Sequence, residues 1–494
     1  MRSPLPLITT AICGVAVAAI SVAAKVPANS SYMNPMLQGF HPDPSCIFVP
    51  EENNTYFCAS SSFNAFPGIP IHASKDLQNW KLISNALNRP EQLPTLAITN
   101  RQTSGIWAST IRYHNGTFYI LTTLVFDSEA QANFSRWDNL IFTTTNPSSS
   151  AAWSDPVHLK YSYPGTPPFG YDISPFWDAD GTVYVTGSHP WQVTPGITQA
   201  TIDLATGQVG STYTYIWNGT GGEAPEGPHI YLKDGWYYLM IAEGGTGLNH
   251  METIARSKQI NGPYVANPAN PILTNANTTQ YFQTVGHADL FEDAAGKWWG
   301  VALSTRSGPE YTTYPMGREM LLYPVTWAEG AWPILQPVRG QMEGWYLGPM
   351  DKKIAGEGYV LNRLCSSPTP QLTLTRPFVT APDHLTFALK STLPIHLLHW
   401  RIPNETAYTI SPAGHENTLR LSPSMLNLTG YDGQYAATPQ TLLARRQVDT
   451  LFTYSVDMDF SPAVEGEEAG ITVFLVSVRS SPHFYNTTLP HTTD

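Results

Sequence analysis

Along the first two thirds of the chain, apolar residues fall in short runs that partly alternate with polar ones. Turns made of Asn, Asp and Gly separate the runs. The clearest case begins at Gly222-Glu223-Ala224-Pro225-Glu226-Gly227-Pro228, which leads into the apolar run His229-Ile230-Tyr231. The turn Lys233-Asp234-Gly235 follows, and then Trp236-Tyr237-Tyr238-Leu239-Met240-Ile241-Ala242. A short run, a tight turn and an aromatic run predict a β-hairpin. The same unit recurs with starts at Asp43, Trp107, Asp172, Glu226 and His287, at spacings of 54 to 65 residues. That length suits one four-stranded propeller blade with long loops. Few stretches between the units show helical periodicity. The prediction is an all-β fold, with a five-bladed β-propeller over residues 32–346. A β-sandwich is the alternative, but sandwiches do not usually repeat one hairpin at this spacing.

Within each unit, 11 to 13 residues separate the first residue from an aromatic of the second run. If the first strand of each blade lines the central channel, the five starting residues ring that channel at one level. Three of them are carboxylates, Asp43, Asp172 and Glu226. Like charges this close oppose joint ionisation, a cost that points to chemistry. Taken singly, Asp43 reads equally well as a turn residue and Asp172 as a strand-end cap.

After residue 346 the repeat stops. Residues 347–371 read as a linker. Apolar alternation returns at 385–389, 451–456 and 471–476, predicting a C-terminal β-sandwich over 372–494 that is shorter than a complete one and has no catalytic cluster of its own.

Composition narrows the function. The 494 residues carry a net charge of −12, the wrong sign for a nucleic-acid partner. An apolar run after Arg2, ending in small residues near Ala24, predicts a signal peptide over 1–24. No other apolar stretch approaches the roughly 20 residues of a membrane span. Nine Asn-x-Ser/Thr sequons, at Asn29, Asn53, Asn115, Asn133, Asn218, Asn277, Asn404, Asn427 and Asn486, agree with a secreted, extracellular glycoprotein. Cys46, Cys58 and Cys365 follow the signal. Cys46 and Cys58 fall on strands expected to pair, so either a bridge or two buried thiols would fit.

Several segments together resemble glycoside hydrolase family 43, closest to its β-xylosidases and arabinofuranosidases. They are Gly39-Phe40-His41-Pro42-Asp43-Pro44-Ser45, Gly105-Ile106-Trp107-Ala108, Tyr171-Asp172-Ile173-Ser174, Glu226-Gly227-Pro228-His229, Gly286-His287-Ala288-Asp289, Ile241-Ala242-Glu243-Gly244 and Gly317-Arg318-Glu319. The resemblance implies Asp43 as general base, Glu226 as general acid, and Asp172 as the residue that raises the acid's pKa and positions it. Arg318 matches a sugar-binding arginine, with Arg306 a weaker candidate. Phe63 and Trp107 match pocket aromatics, for which core packing is the alternative. His287 matches an axial histidine, implying a calcium ion or a water in the channel; a hydrogen-bonded core histidine is the alternative. Glu223 rivals Glu226 but lacks the Gly-Pro-His context, and Glu243 reads as structural. No cofactor is implied for the chemistry. Xylo-oligosaccharide or arabinoxylan is the implied substrate, and release of xylose by an exo-acting, inverting β-xylosidase the implied reaction. An arabinofuranosidase, a bifunctional enzyme and a catalytically dead carbohydrate-binding propeller are the competing readings. The sequence departs from the family pattern at Met320, where threonine is usual.

Overall fold

The computed structural model of the protein describes residues 29–162, 169–348, 383–426 and 439–474, with isolated residues 354, 379 and 428. The predicted signal peptide and nearly all of the predicted linker lie outside the described residues.

Five antiparallel sheets follow one another in sequence, each opening on its innermost strand. These strands are Ser45–Val49, Thr110–His114, Tyr171–Trp177, Glu226–Lys233 and Phe282–Glu292. Blade 1 shows the plan: Ser45–Val49, Thr55–Ala59, Gly68–Ser74 and Lys81–Leu87, each hydrogen-bonded to the next. The hairpin turns form where sequence chemistry places them. Asn53, Asn54, Asn115, Gly116, Gly181, Asp234, Gly235 and Gly296 all take the left-handed backbone that tight hairpin turns demand.

The core is divided among the gaps between blades. Val49, Phe57 and Ile71 of blade 1 meet Phe118 and Ile120 of blade 2. Leu121 and Ile141 meet Ile173 and Val185, and Ile197 meets Ile230, Leu239 and Ile241. The largest cluster joins blades 4, 5 and 1 through Met240, Trp299, Leu321 and Cys46. Cys46 and Cys58, directly opposed in the ladder, are disulfide-bonded. Met320 sits 4.0 Å from the Cys46 sulfur, so the departure from the family pattern fills space beside the bridge.

A seal closes the ring. Asn29–Met33 pairs with Gln341–Trp345, so the closing strand begins three residues before the predicted boundary at 32. Asn34 clamps blade 5 from the same side: its Nδ2 donates to Leu322 O at 2.9 Å and its Oδ1 accepts Leu322 N–H at 2.9 Å. Lower in the channel, the side chain of Asp289 is wholly buried. It accepts hydrogen bonds from Ser45 Oγ at 2.6 Å, Arg112 Nη1 at 2.8 Å and the Tyr231 hydroxyl at 2.8 Å. Arg112 also donates to His229 Nδ1 at 2.9 Å. One carboxylate thereby ties blades 1, 2, 4 and 5 together.

The C-terminal part corrects one expectation. Its described strands are Leu397–Trp400, Tyr408–Ile410, Leu419–Leu421 and Ala444–Arg445. The runs at 385–389 and 451–456 join no ladder, nor do 471–474. Their alternation is real, but a strand forms only against a partner edge, and the run at 385–389 makes a single such contact, Phe387 N to Asn417 O at 3.0 Å. Leu451, Phe452, Tyr454 and Val456 are exposed as a result. What does form docks on the propeller: Leu397–Trp400 pairs with Ala65–Phe66 of blade 1, and Arg401 N donates to Asn64 O at 2.7 Å.

Candidate active site

The inner strands of blades 3, 4 and 5 each gain one residue at the channel mouth. The register slips between Tyr171 and Ser174, between Glu226 and His229, and between Gly286 and Asp289. Asp172, Gly227 and His287 take the bulge, with φ of 55°, 58° and 51°. Asp43, two residues before Ser45 as Asp172 is two before Ser174, has φ 54°. A bulge re-aims a side chain, and non-glycine residues held at positive φ cluster where function demands them.

This geometry corrects the five-residue ring expected from sequence. Asp43, Asp172 and His287 share one backbone slot, but Gly227 fills it in blade 4 and Glu226 stands one residue ahead. In blade 2 the register also slips by one residue, between Ile106 and Thr110, and Trp107, its N–H bonded to Thr123 O at 3.0 Å, stands ahead of the slip as Glu226 does. Spacing to a downstream aromatic cannot reveal an extra residue inserted between.

The predicted residues nevertheless converge. Asp43, Asp172 and His287 are buried and Glu226 is half-buried. Arg318 Nη1 lies 3.2 Å from Asp43 Oδ1 and His287 Nδ1 lies 3.8 Å from it. Ser61 donates its hydroxyl to Asp43 Oδ2. Burial alone would push the Asp43 carboxyl up; Arg318, His287 and the Ser61 bond outweigh it and hold the carboxyl below its ordinary range. Glu226 goes the other way. Burial and the charge of Asp43 push it up to about 8, against the pull of Arg318 and a hydrogen bond with Tyr171. Asp172 accepts the Gly227 N–H at 3.2 Å. Ligand atoms of Asp172, Glu226 and His287 lie within 4.8 Å of one another.

Asp172 was expected to be ionised beside a protonated Glu226. Burial, Glu226 and Asp43 instead hold its carboxyl well above the usual range too. The two form a coupled pair that keeps a proton far above ordinary carboxylate pH. Within it, Arg318 favours the charged form of both, the Gly227 N–H favours charge on Asp172, and the Tyr171 bond favours it on Glu226.

Aromatic rings line one wall. The Arg318 guanidinium lies 5.2 Å from the Phe63 ring centre and 5.7 Å from that of Phe40. Phe63 neighbours Trp107, which packs edge-on against Tyr171. Arg306 does not join this group. It forms a two-point pair with Glu319, and Glu319 accepts the Gly39 N–H at 2.9 Å. Glu223 is exposed and stands outside the cluster.

Several contributors were not singled out from sequence. Tyr171 and Phe40 lie inside the quoted motifs, so their signal was present. Ser61 had none. Glu243, which reads as structural in the sequence, accepts hydrogen bonds from Thr220 N, Gly222 N and Thr253 Oγ1, anchoring the loop that delivers Glu226. Glu252 accepts the Ala288 and His287 N–H groups, holding the blade 5 bulge. His250 lies flat against Gly286 and bonds Thr284 O at 2.9 Å.

The trio of Asp172, Glu226 and His287 is also the set that would face a metal ion. Calcium takes six to eight oxygen ligands. One imidazole and two carboxyls that tend to keep a proton do not make such a cage, and no step of the chemistry is routed through an ion.

A propeller with three carboxyl groups at its channel mouth, one driven acidic and another driven basic, defines a glycoside hydrolase. Comparison with known proteins agrees. The sequence pattern of Glycosyl hydrolases family 43 matches residues 32–333, and that of the Beta xylosidase C-terminal Concanavalin A-like domain matches 386–484. The chain belongs to glycoside hydrolase family 43. A non-reducing end α-L-arabinofuranosidase of Bacteroides ovatus is 33% identical over 452 residues, covering 90% of this chain and 74% of its own. A β-xylosidase of Bacillus subtilis is 30% identical, covering 89% and 76%. Among solved structures, the xylan β-1,4-xylosidase of Bacillus halodurans aligns with a TM-score of 0.66 at 29% identity, covering 84% of this chain and 72% of its own. These likenesses carry the fold class: a five-bladed propeller followed by a β-sandwich.

Proposed function

We propose that this glycosidase is an exo-acting, inverting β-xylosidase that releases xylose from β-1,4-xylo-oligosaccharides. Glu226 protonates the leaving oxygen, Asp43 deprotonates the attacking water, and Asp172 positions the acid and helps keep its proton. Arg318, Phe63 and Trp107 hold the sugar. The observation that carries this reading is the opposed tuning of Asp43 and Glu226, since one carboxyl must be ionised while the other is protonated. Inversion is supported by the origin of the two carboxyls: Asp43 comes from blade 1 and Glu226 from blade 4, which are not neighbours in the ring. Inversion needs carboxyls about 6.5–9.5 Å apart, so that a water can stand between base and sugar.

Proton NMR of the first-formed sugar tests this. A β-xyloside should release α-xylose before mutarotation. Initial release of β-xylose would remove both the mechanism and Asp43 as base. The second reading, an α-L-arabinofuranosidase or an enzyme with both activities, is favoured by the name of the Bacteroides ovatus relative. Parallel assays on nitrophenyl xyloside and arabinofuranoside separate the two, and turnover of neither with sugar binding retained would favour a binding propeller.

We further infer a secreted glycoprotein. The seven sequon asparagines among the described residues are all exposed, as glycan attachment needs.

A further inference from the structure

Between the outer strand of blade 3, Thr214–Trp217, and the inner strand of blade 4, the chain runs through residues 218–225 without joining a ladder. This loop carries Glu226 to the channel mouth. Glu243 ties its middle by accepting hydrogen bonds from Thr220 N, Thr220 Oγ1 and Gly222 N. Its first residue, Asn218, is exposed and opens the sequon Asn218-Gly219-Thr220. The Asn218 side chain makes no hydrogen bond among the described residues. The side chains of Asn133 and Asn404, in two other sequons, are committed to local bonds.

An aromatic ring lies beside this asparagine. Tyr215, three residues earlier, is 39% exposed. Both side chains cover Gly196: Asn218 Oδ1 and Tyr215 Cδ1 lie 2.6 Å and 3.4 Å from the point where a side chain on that glycine would begin. The ring is already fixed, with His189 at 5.4 Å between ring centres and the hydroxyl bonded to Thr194. Little freedom is then lost when a ligand stacks on it. Tyr113, two residues before Asn115, is by contrast turned onto Phe118 and the core. A pyranose presents a C–H face that packs on an aromatic ring. We propose that Asn218 carries an N-linked glycan whose first sugar, an N-acetylglucosamine, stacks on Tyr215 and braces the loop that delivers Glu226. The proposal rests on the secreted-glycoprotein reading above. In the transfer, Asn218 Nδ2 bonds to C1 of the first sugar of a lipid-diphosphate-linked oligosaccharide. The C1–O bond to the diphosphate breaks, the lipid diphosphate leaves with the bonding electrons, and one Nδ2 proton goes to solvent.

Mass mapping of the protein secreted from a glycosylating host gives the occupancy of each sequon. Hydrogen exchange of residues 219–225 then compares that protein, its glycans trimmed enzymatically to one sugar, with the same chain made in a host that attaches none. The one-sugar form should exchange about fivefold more slowly there, the scale of one ring contact. Tyr215→Ala should remove the difference and Tyr215→Phe, which keeps the ring, should retain it. Occupancy and the comparison on the parent chain stand even where a variant misfolds. Glycans at other sequons with none on Asn218, equal exchange in the two parent forms, or a difference that survives Tyr215→Ala each overturn the proposal alone. A chain that is not exported, or is bare at every sequon, removes the glycoprotein reading and the proposal with it.

Discussion

Two carboxyl groups on one channel mouth are driven in opposite directions by their neighbours, and substitutions can separate the causes. Glu226→Gln keeps the shape and removes the proton. Hydrolysis of xylobiose should fall by about 10²–10⁴, the usual worth of a general acid, while an activated aryl xyloside should lose far less, because its leaving group departs unaided. Equal losses on both substrates would take the acid role from Glu226. Arg318→Met acts on the other carboxyl. Arg318 lowers the Asp43 pKa, so its loss must raise it, and the ionised base then disappears at higher pH. The acidic limb of the pH–rate profile should therefore move up. A limb that stays in place would mean that Arg318 serves the sugar only.

At the scale of strands and turns, the bulge is what converts a repeated hairpin into a site. Gly227 shows the constraint: it sits at φ 58°, and a side chain added there would meet His287 Nε2 at 3.0 Å. Gly227→Ala should displace Glu226 or His287 and cost kcat about a hundredfold, as misplacement by an ångström can. A fold-neutral, fully active variant would show that the blade 4 bulge is not needed. The five hairpins, the propeller and the residues inside motifs were legible because strand alternation and turn residues are local signals. The bulges were not, since one extra residue leaves a hairpin's composition unchanged and moves only its register; hence Glu226 was placed one step too far along. The second helpers were hidden for a different reason. Ser61 and Glu252 reach the site through bonds to a neighbouring strand or blade, which no periodicity records. The runs at 385–389 and 451–456 show the converse: a correct local pattern without a partner edge gives no strand.

Across the whole ring, Asp289 is the point where most blades meet. Asp289→Asn would leave the partly buried Arg112 guanidinium without its counter-charge, a loss of up to about 3 kcal/mol. The pH dependence has a definite sign. Asp289 is held down to about 2 by Arg112, His229 and hydrogen bonds that together outweigh its burial, against about 3.9 in an unfolded chain. Its contribution is complete above the unfolded value and is lost as pH falls through the folded one. Denaturant midpoints should drop steeply between pH 4 and pH 2 in the parent and less so in Asp289→Asn. Matching slopes would assign the acid sensitivity elsewhere.

The seal between Asn29–Met33 and Gln341–Trp345 also orders events in time. On a ribosome the first of these strands emerges ahead of every blade, and its partner only after the fifth. Until then the early strand waits with its backbone groups unpaired, while blade after blade stacks against the last. The channel mouth is assembled over the same interval, because Asp43 arrives with the first blade, Glu226 with the fourth, and His287 and Arg318 with the fifth. Nascent chains released before the fifth blade would hold the base without its arginine, and chains released before the closing strand would hold an open ring. The last step of synthesis across the propeller is therefore the one that makes a catalyst of it.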